Sequence, residues 1–142
     1  MKEILEIGLF IAGISQLLLC LGSIRIPGVL GWKEKLKPFS LLMQQLWWTY
    51  SCYILGTHLF FGILSILSSG LFFRENFEAL LVSFFIALWW NTRLFLGIFI
   101  LDLSEVEKTG FNQSAKWVLH SLFLFLGTVY SGIFVWNLTK LS

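Results

Sequence analysis

Residues 79–101 read ALLVSFFIALWWNTRLFLGIFIL, a stretch fit for hydrocarbon apart from a tryptophan pair, Asn91 and Arg93 near its middle. At about 1.5 Å per residue such a run crosses the roughly 30 Å apolar core of a bilayer. The rest of the chain has the same character. Of its 142 residues 57% are hydrophobic and only 13% charged, with a mean hydropathy of +0.82. A soluble domain carries a charged fraction nearer about 25%. Fifteen Phe and seven Trp beside a net charge of +2 also exclude nucleic-acid binding, because no basic stripe is large enough to neutralise several phosphates.

Four runs are long enough to span: Ile7 to Arg25, Leu46 to Leu67, Ala79 to Leu101 and Trp117 to Leu138. The first does not read as a cleaved signal peptide, since Lys2 is followed by Glu3 and Glu6 and no small-x-small pattern follows the apolar run. Short connections predict an all-α integral membrane protein, a single up-and-down bundle of four transmembrane helices over 1–142 with both termini on one side. Orientation follows the basic residues. The loops at 25–45 and 102–116 hold Arg25, Lys33, Lys35, Lys37, Lys108 and Lys116, against Lys2, Arg74 and Lys140 on the opposite side. That bias predicts a cell-membrane protein with its N- and C-termini outside.

Between the first two spans, Pro27-Gly28 forces a turn and Gly31-Trp32-Lys33-Glu34-Lys35-Leu36-Lys37-Pro38 follows. Trp32 suits the headgroup region, and Lys33, Lys35 and Lys37 suit anionic lipid; the plainer alternative is a positive-inside anchor with an aromatic belt. The second outer segment, 68–76, reads as a helix stop and a short amphipathic link. In the last loop Ser104-Glu105-Val106-Glu107 has the spacing of a capping box. Two sequons, at Asn112 and Asn137, are placed poorly for glycosylation: one on the predicted cytoplasmic side, one against the membrane.

Lipid tails are as apolar as leucine, so these helices must associate through small residues and buried polar contacts. Inner faces are predicted at Gly8, Ala12, Gln16, Cys20 and Ser23; at Ser51, Ile54, His58, Gly62 and Ser65; at Ser83, Ile86, Trp90, Arg93 and Gly97; and at His120, Leu124, Gly127 and Ser131. Counted from the outer face, Gln16 lies roughly 14 Å deep, Asn91 about 18 Å and Arg93 about 21 Å, with His58 near the midplane. Arg93 therefore has two readings. It is either a packing staple, stacked on Trp89 or Trp90 and bonded to neighbouring helices, or part of a polar pocket with Gln16, His58 and Asn91. Such a pocket would take an anionic lipid headgroup, a quinone or a small anion. No carboxylate lies at that depth to neutralise it.

Other chemistry fails on count or geometry. His58 and His120 differ by about 13 Å in depth, too far for one haem. Cys20 and Cys52 form no C-x-x-C pair, and the carboxylates lie at helix ends or in loops, leaving no metal site and no buried acid. No cofactor is expected, nor is enzymatic machinery visible. The string Gln45-Leu46-Trp47-Trp48-Thr49-Tyr50, with Tyr53, His58, Phe61-Gly62, Ser65, Phe85-Ile86, Trp89 and Arg93, and with Thr128-Val129-Tyr130 in the fourth run, resembles a group of small, uncharacterised bacterial four-helix integral membrane proteins. The resemblance implies the fold and no particular activity. An accessory or structural role is the first expectation, with a homo-oligomer or a partner membrane protein as company. Binding or transport of an anionic or carbonyl-bearing ligand is the second.

Overall fold

The structure, a computed structural model, describes residues 1–101 and 109–141, the side chain of residue 111 excepted. Asp102, Lys108 and the predicted capping box at Ser104 to Glu107 lie outside the described residues. Four long helices dominate: Lys2–Ser23, Leu41–Leu67, Phe77–Phe99 and Gly110–Leu141. Each is long and apolar enough to cross a membrane. Their ends differ from the apolar runs, since the first begins at Lys2 and not Ile7, the second at Leu41 and the fourth at Gly110. Backbone pitch need not stop where hydrocarbon does, and polar flanks carry the helices on into the headgroup region. Ser40 and Asn76 then fix two starts, their side-chain oxygens accepting from Met43 N at 3.4 Å and Ala79 N at 2.9 Å.

Neighbouring helices run antiparallel, as successive contacts show. Gly13 faces Gly62 while Cys20 reaches Leu55; Phe84 meets Phe134 while Gly97 meets His120; and Gly8 faces Val129 while Gly132 faces Leu5. These three pairings, first with second, third with fourth and first with fourth, are intimate. The second and third helices are different: their backbones stay apart and only large rings bridge them. Phe61 meets Phe85 edge-on at 6.2 Å, and His58 stacks on Trp90 at 4.8 Å.

The predicted inner faces of the first three helices are buried at Ala12, Gln16 and Cys20, at His58, Gly62 and Ser65, and at Ser83, Ile86 and Trp90. On the fourth helix the expected face is found in part: Gly127 is buried and His120 and Ser131 meet the third helix, but Leu124 is 58% exposed, and the core side extends over Leu126, Tyr130, Ile133 and Asn137. Phe72 and Phe73, in the 3₁₀ turn Ser69–Phe73, tuck under the bundle as a plug. Outside, rings and aliphatic chains such as Phe10, Leu18, Phe60, Leu88 and Phe95 cover the surface, as lipid contact requires.

Candidate functional site

Where the first, second and fourth helices meet, the polar side chains close on one another. Gln16 Nε2 donates to Tyr130 OH at 2.7 Å and to Ala12 O at 3.2 Å. Ser65 Oγ donates to Phe61 O at 2.7 Å, so the 2.6 Å contact between Ser65 Oγ and Tyr130 OH has the phenol as donor. The result is a directed chain, Gln16 to Tyr130 to Ser65 to the Phe61 carbonyl, across three helices. Nearby Asn137 Nδ2 donates to Phe72 O at 2.9 Å and Ile133 O at 3.1 Å, tying the plug to the fourth helix. Asn137 is therefore a core residue and no glycan acceptor.

The six residues predicted around the midplane separate into three places. Gln16 belongs to the Tyr130 chain. Asn91 sits on the far side of the third helix, where its Nδ2 donates to Ala87 O at 2.8 Å and Ser131 Oγ at 3.1 Å, and its side chain packs on Gly127. A β-carbon at Gly127 would lie 2.9 Å from Asn91 Oδ1, so a larger residue there would have to displace the Asn91 amide. His58, Trp89, Trp90 and Arg93 do gather, at the edge between the second and third helices. A ladder of rings runs through them: His58 over Trp90 at 4.8 Å, Trp90 beside Phe123 at 5.7 Å, and the Arg93 guanidinium over Phe123 at 5.9 Å. The cation thus faces a phenylalanine of the fourth helix rather than either tryptophan of its own.

Beside this ladder lies a groove of about 280 Å³ walled by Ile54, Phe85, Leu88, Trp89, Thr92, Arg93 and Leu96. It exists because bulky rings prop the second and third helices apart. Its walls are hydrocarbon-like except for Arg93, Thr92 and the indole edge. Among the described residues Arg93 makes no ion pair and no hydrogen bond; the Phe123 ring is its one polar-attractive neighbour. Three ring nitrogens at the same edge, His58 Nε2, Trp89 Nε1 and Trp90 Nε1, are buried without a partner.

A second hollow of about 390 Å³ lies across the third helix, lined by Leu94, Gly97, Ile98, Lys116, Trp117, His120, Ser121 and Leu124. A carbonyl lies against each ring nitrogen of His120, Lys116 O at 2.7 Å from Nδ1 and Gly97 O at 3.2 Å from Nε2; the tautomer with its proton on Nε2 ties helix to helix. At the start of the second helix Trp32 meets Trp47 edge-on at 5.3 Å and Trp48 at 5.9 Å. This clasp lays the Trp32–Lys35 turn back on that helix, with Lys33, Lys35 and Lys37 all exposed. Lys37 pairs with Glu34, while Lys33 and Lys35 have no carboxylate partner among the described residues. Tyr130 and Asn137 are the polar residues that helical periodicity missed, their partners being distant in sequence. Compared with known protein families, with curated proteins and with solved structures, the chain matches none.

Proposed function

We propose that this four-helix membrane protein binds an anionic amphiphile within the bilayer, in the groove between its second and third helices, with Arg93 as the partner of the anion. The observation that carries the reading is the guanidinium, unpaired among the described residues. A charge inside the hydrocarbon costs at least about 2.5 to 3.5 kcal/mol, and a bound anion would offset that cost. A staple would need hydrogen bonds across the bundle, and those are made by Gln16, Tyr130, Asn91, Asn137 and His120. The apolar walls favour an occupant with a hydrocarbon tail over a bare inorganic anion. Lys33 and Lys35 stand at the same end of the molecule, where the third helix finishes and the second begins, and would gather anionic lipid near the groove. On the charge bias this end faces the cytoplasm.

Native mass spectrometry of the protein in a mild detergent tests the reading. A discrete small-molecule adduct on the wild type, lost in Arg93→Gln, is expected; an adduct indifferent to the substitution overturns it. For the orientation, a Cys20→Ala, Cys52→Ala background with Lys35→Cys should be shielded from an impermeant thiol reagent in intact cells, and with Arg74→Cys should react. The reverse pattern would place the groove in the other leaflet.

A further inference from the structure

The wall of the groove carries a second chemical signal, distinct from charge, at Trp89, with His58 and Trp90 packed behind it. His58 and Trp90 are 3% and 0% exposed, yet His58 Nε2 and Trp90 Nε1 have no hydrogen-bond partner, and neither has the buried Trp89 Nε1. The three rings form one cluster, His58 stacked on Trp90 and edge-on to Trp89 at 6.1 Å. Buried indoles ordinarily find an acceptor, and inside a membrane no water relieves one that does not. Other atoms in the bundle also lack partners: Gln16 Oε1, Asn137 Oδ1 and Trp136 Nε1. Two of those belong to amides already anchored through nitrogen, and a lone acceptor is tolerated more readily than a lone donor. Among the described residues several orphan nitrogens gather only at the second–third edge, beside Arg93.

Register places the two signals in order. Trp90 and Trp89 precede Arg93 by three and four residues, on the same side of the helix and about 5 to 6 Å further from the end at which it finishes. A ligand entering from that leaflet meets the guanidinium first and the Trp89 indole one turn deeper. We infer that the occupant is a glycerophospholipid, held at two points: its phosphodiester by Arg93 and an acyl-ester carbonyl by the unpartnered N–H of Trp89, the ring of the cluster that lines the groove. A fatty acid would bring the charge without the deeper acceptor, and a quinone the carbonyls without the charge. The inference rests on the Arg93 groove being a binding site.

Three lipids separate the two contacts: phosphatidylglycerol, its ether-linked analogue, which lacks the carbonyls, and diacylglycerol, which keeps the ester carbonyls and lacks the phosphodiester. Each is titrated against the full-length protein in detergent, with bound lipid read by native mass spectrometry. The wild type should hold the ester phosphatidylglycerol about tenfold more tightly than the ether analogue, the scale of one buried hydrogen bond. Trp89→Phe keeps a ring but removes the N–H; it should shrink the ester–ether gap and leave the preference over diacylglycerol intact. Arg93→Gln should do the opposite. If Trp89→Phe does not fold, the ester–ether gap of the wild type carries the test. Equal binding of ester and ether lipid by the wild type, or a gap unchanged in Trp89→Phe, overturns the two-point inference and leaves the Arg93 reading standing. Equal binding of phosphatidylglycerol and diacylglycerol overturns the Arg93 reading itself.

Discussion

The meeting of the first, second and fourth helices and the edge between the second and third draw on similar residue types, small, aromatic and polar, and arrive at opposite outcomes. At the first, Gly13 and Gly62 bring two backbones together and Tyr130 closes a hydrogen-bond chain through Gln16 and Ser65. At the second, His58, Phe61, Phe85, Trp89 and Trp90 hold two helices apart and leave ring nitrogens and a guanidinium unanswered. Both regions face the same apolar solvent, so water-driven burial cannot explain the difference. What differs is how the hydrogen-bond donors are answered. In one region Gln16, Tyr130 and Ser65 all donate to partners within the chain; in the other the indole N–H groups do not, and on the proposed function the missing partner comes from outside.

The sharpest way to break the closed region is at its glycines. A β-carbon at Gly13 would stand 2.7 Å from Ile66 Cγ1 and 3.1 Å from Gly62 O, and one at Gly62 would stand 3.0 Å from Leu17 Cδ2 and 3.2 Å from Gly13 O. Gly62→Val must therefore push the first two helices apart, at a cost of about 1 to 3 kcal/mol. The midpoint of thermal unfolding in detergent should fall accordingly. A midpoint equal to the wild type's would mean that the two backbones do not approach there. Tyr130→Phe comes next. It keeps the ring and strands the Gln16 amide with only its own-helix carbonyl, and interhelical hydrogen bonds in membranes are worth about 0.6 kcal/mol on average and up to about 1.7. A loss within that range, absent in a Thr128→Val control on the exposed face, would establish the chain as a staple.

Much of this was legible in one dimension. Length and apolarity mark the four spans, and spacings of three and four residues pick out the buried stripes of the first three helices. The fourth was legible only in part, for a physical reason. Its interface is organised by Tyr130 and Asn137, whose partners Gln16 and Phe72 lie 114 and 65 residues away. No period within a single helix reveals such pairings, and a search for small residues found the side of His120, Gly127 and Ser131 that meets the third helix, but not the side of Tyr130 and Asn137. Depth counting had a related blind spot. Asn91 and Arg93 are nearly level, but residues two apart on a helix point about 200° away from each other. Level is not direction, so Asn91 staples the third helix to the fourth while Arg93 remains at the groove. The ring ladder that opens the groove was visible only as a cluster of aromatic letters.

A gentler perturbation addresses the surface beside the open region. Lys33→Gln with Lys35→Gln removes two exposed cations that no carboxylate of the described chain neutralises, each worth about 1 kcal/mol at most near anionic lipid. The double variant in vesicles containing phosphatidylglycerol should lose enrichment of that lipid around the protein, measured by quenching of Trp32, Trp47 and Trp48 with brominated anionic lipid. In purely zwitterionic vesicles it should behave as the wild type does. A loss of equal size in both would mean that the lysines support the Trp32 clasp rather than the lipid.

The smallest expected effect on stability separates the two regions most cleanly. In lipid-free detergent Arg93→Gln should move the unfolding midpoint by less than about 0.5 kcal/mol, because no hydrogen bond of the bundle is removed with the guanidinium. Loss of the Phe123 contact and relief of a charge held among apolar walls act in opposite directions and nearly cancel. With phosphatidylglycerol added, the wild type should gain stability by mass action and the variant should not, since a ligand stabilises only the state it binds. A large loss in the lipid-free protein would instead make Arg93 a staple like Tyr130, and the open region would differ from the closed one in geometry alone. A lipid-dependent gap that vanishes when lipid is removed is the signature of a site whose last polar partner is supplied from outside the chain.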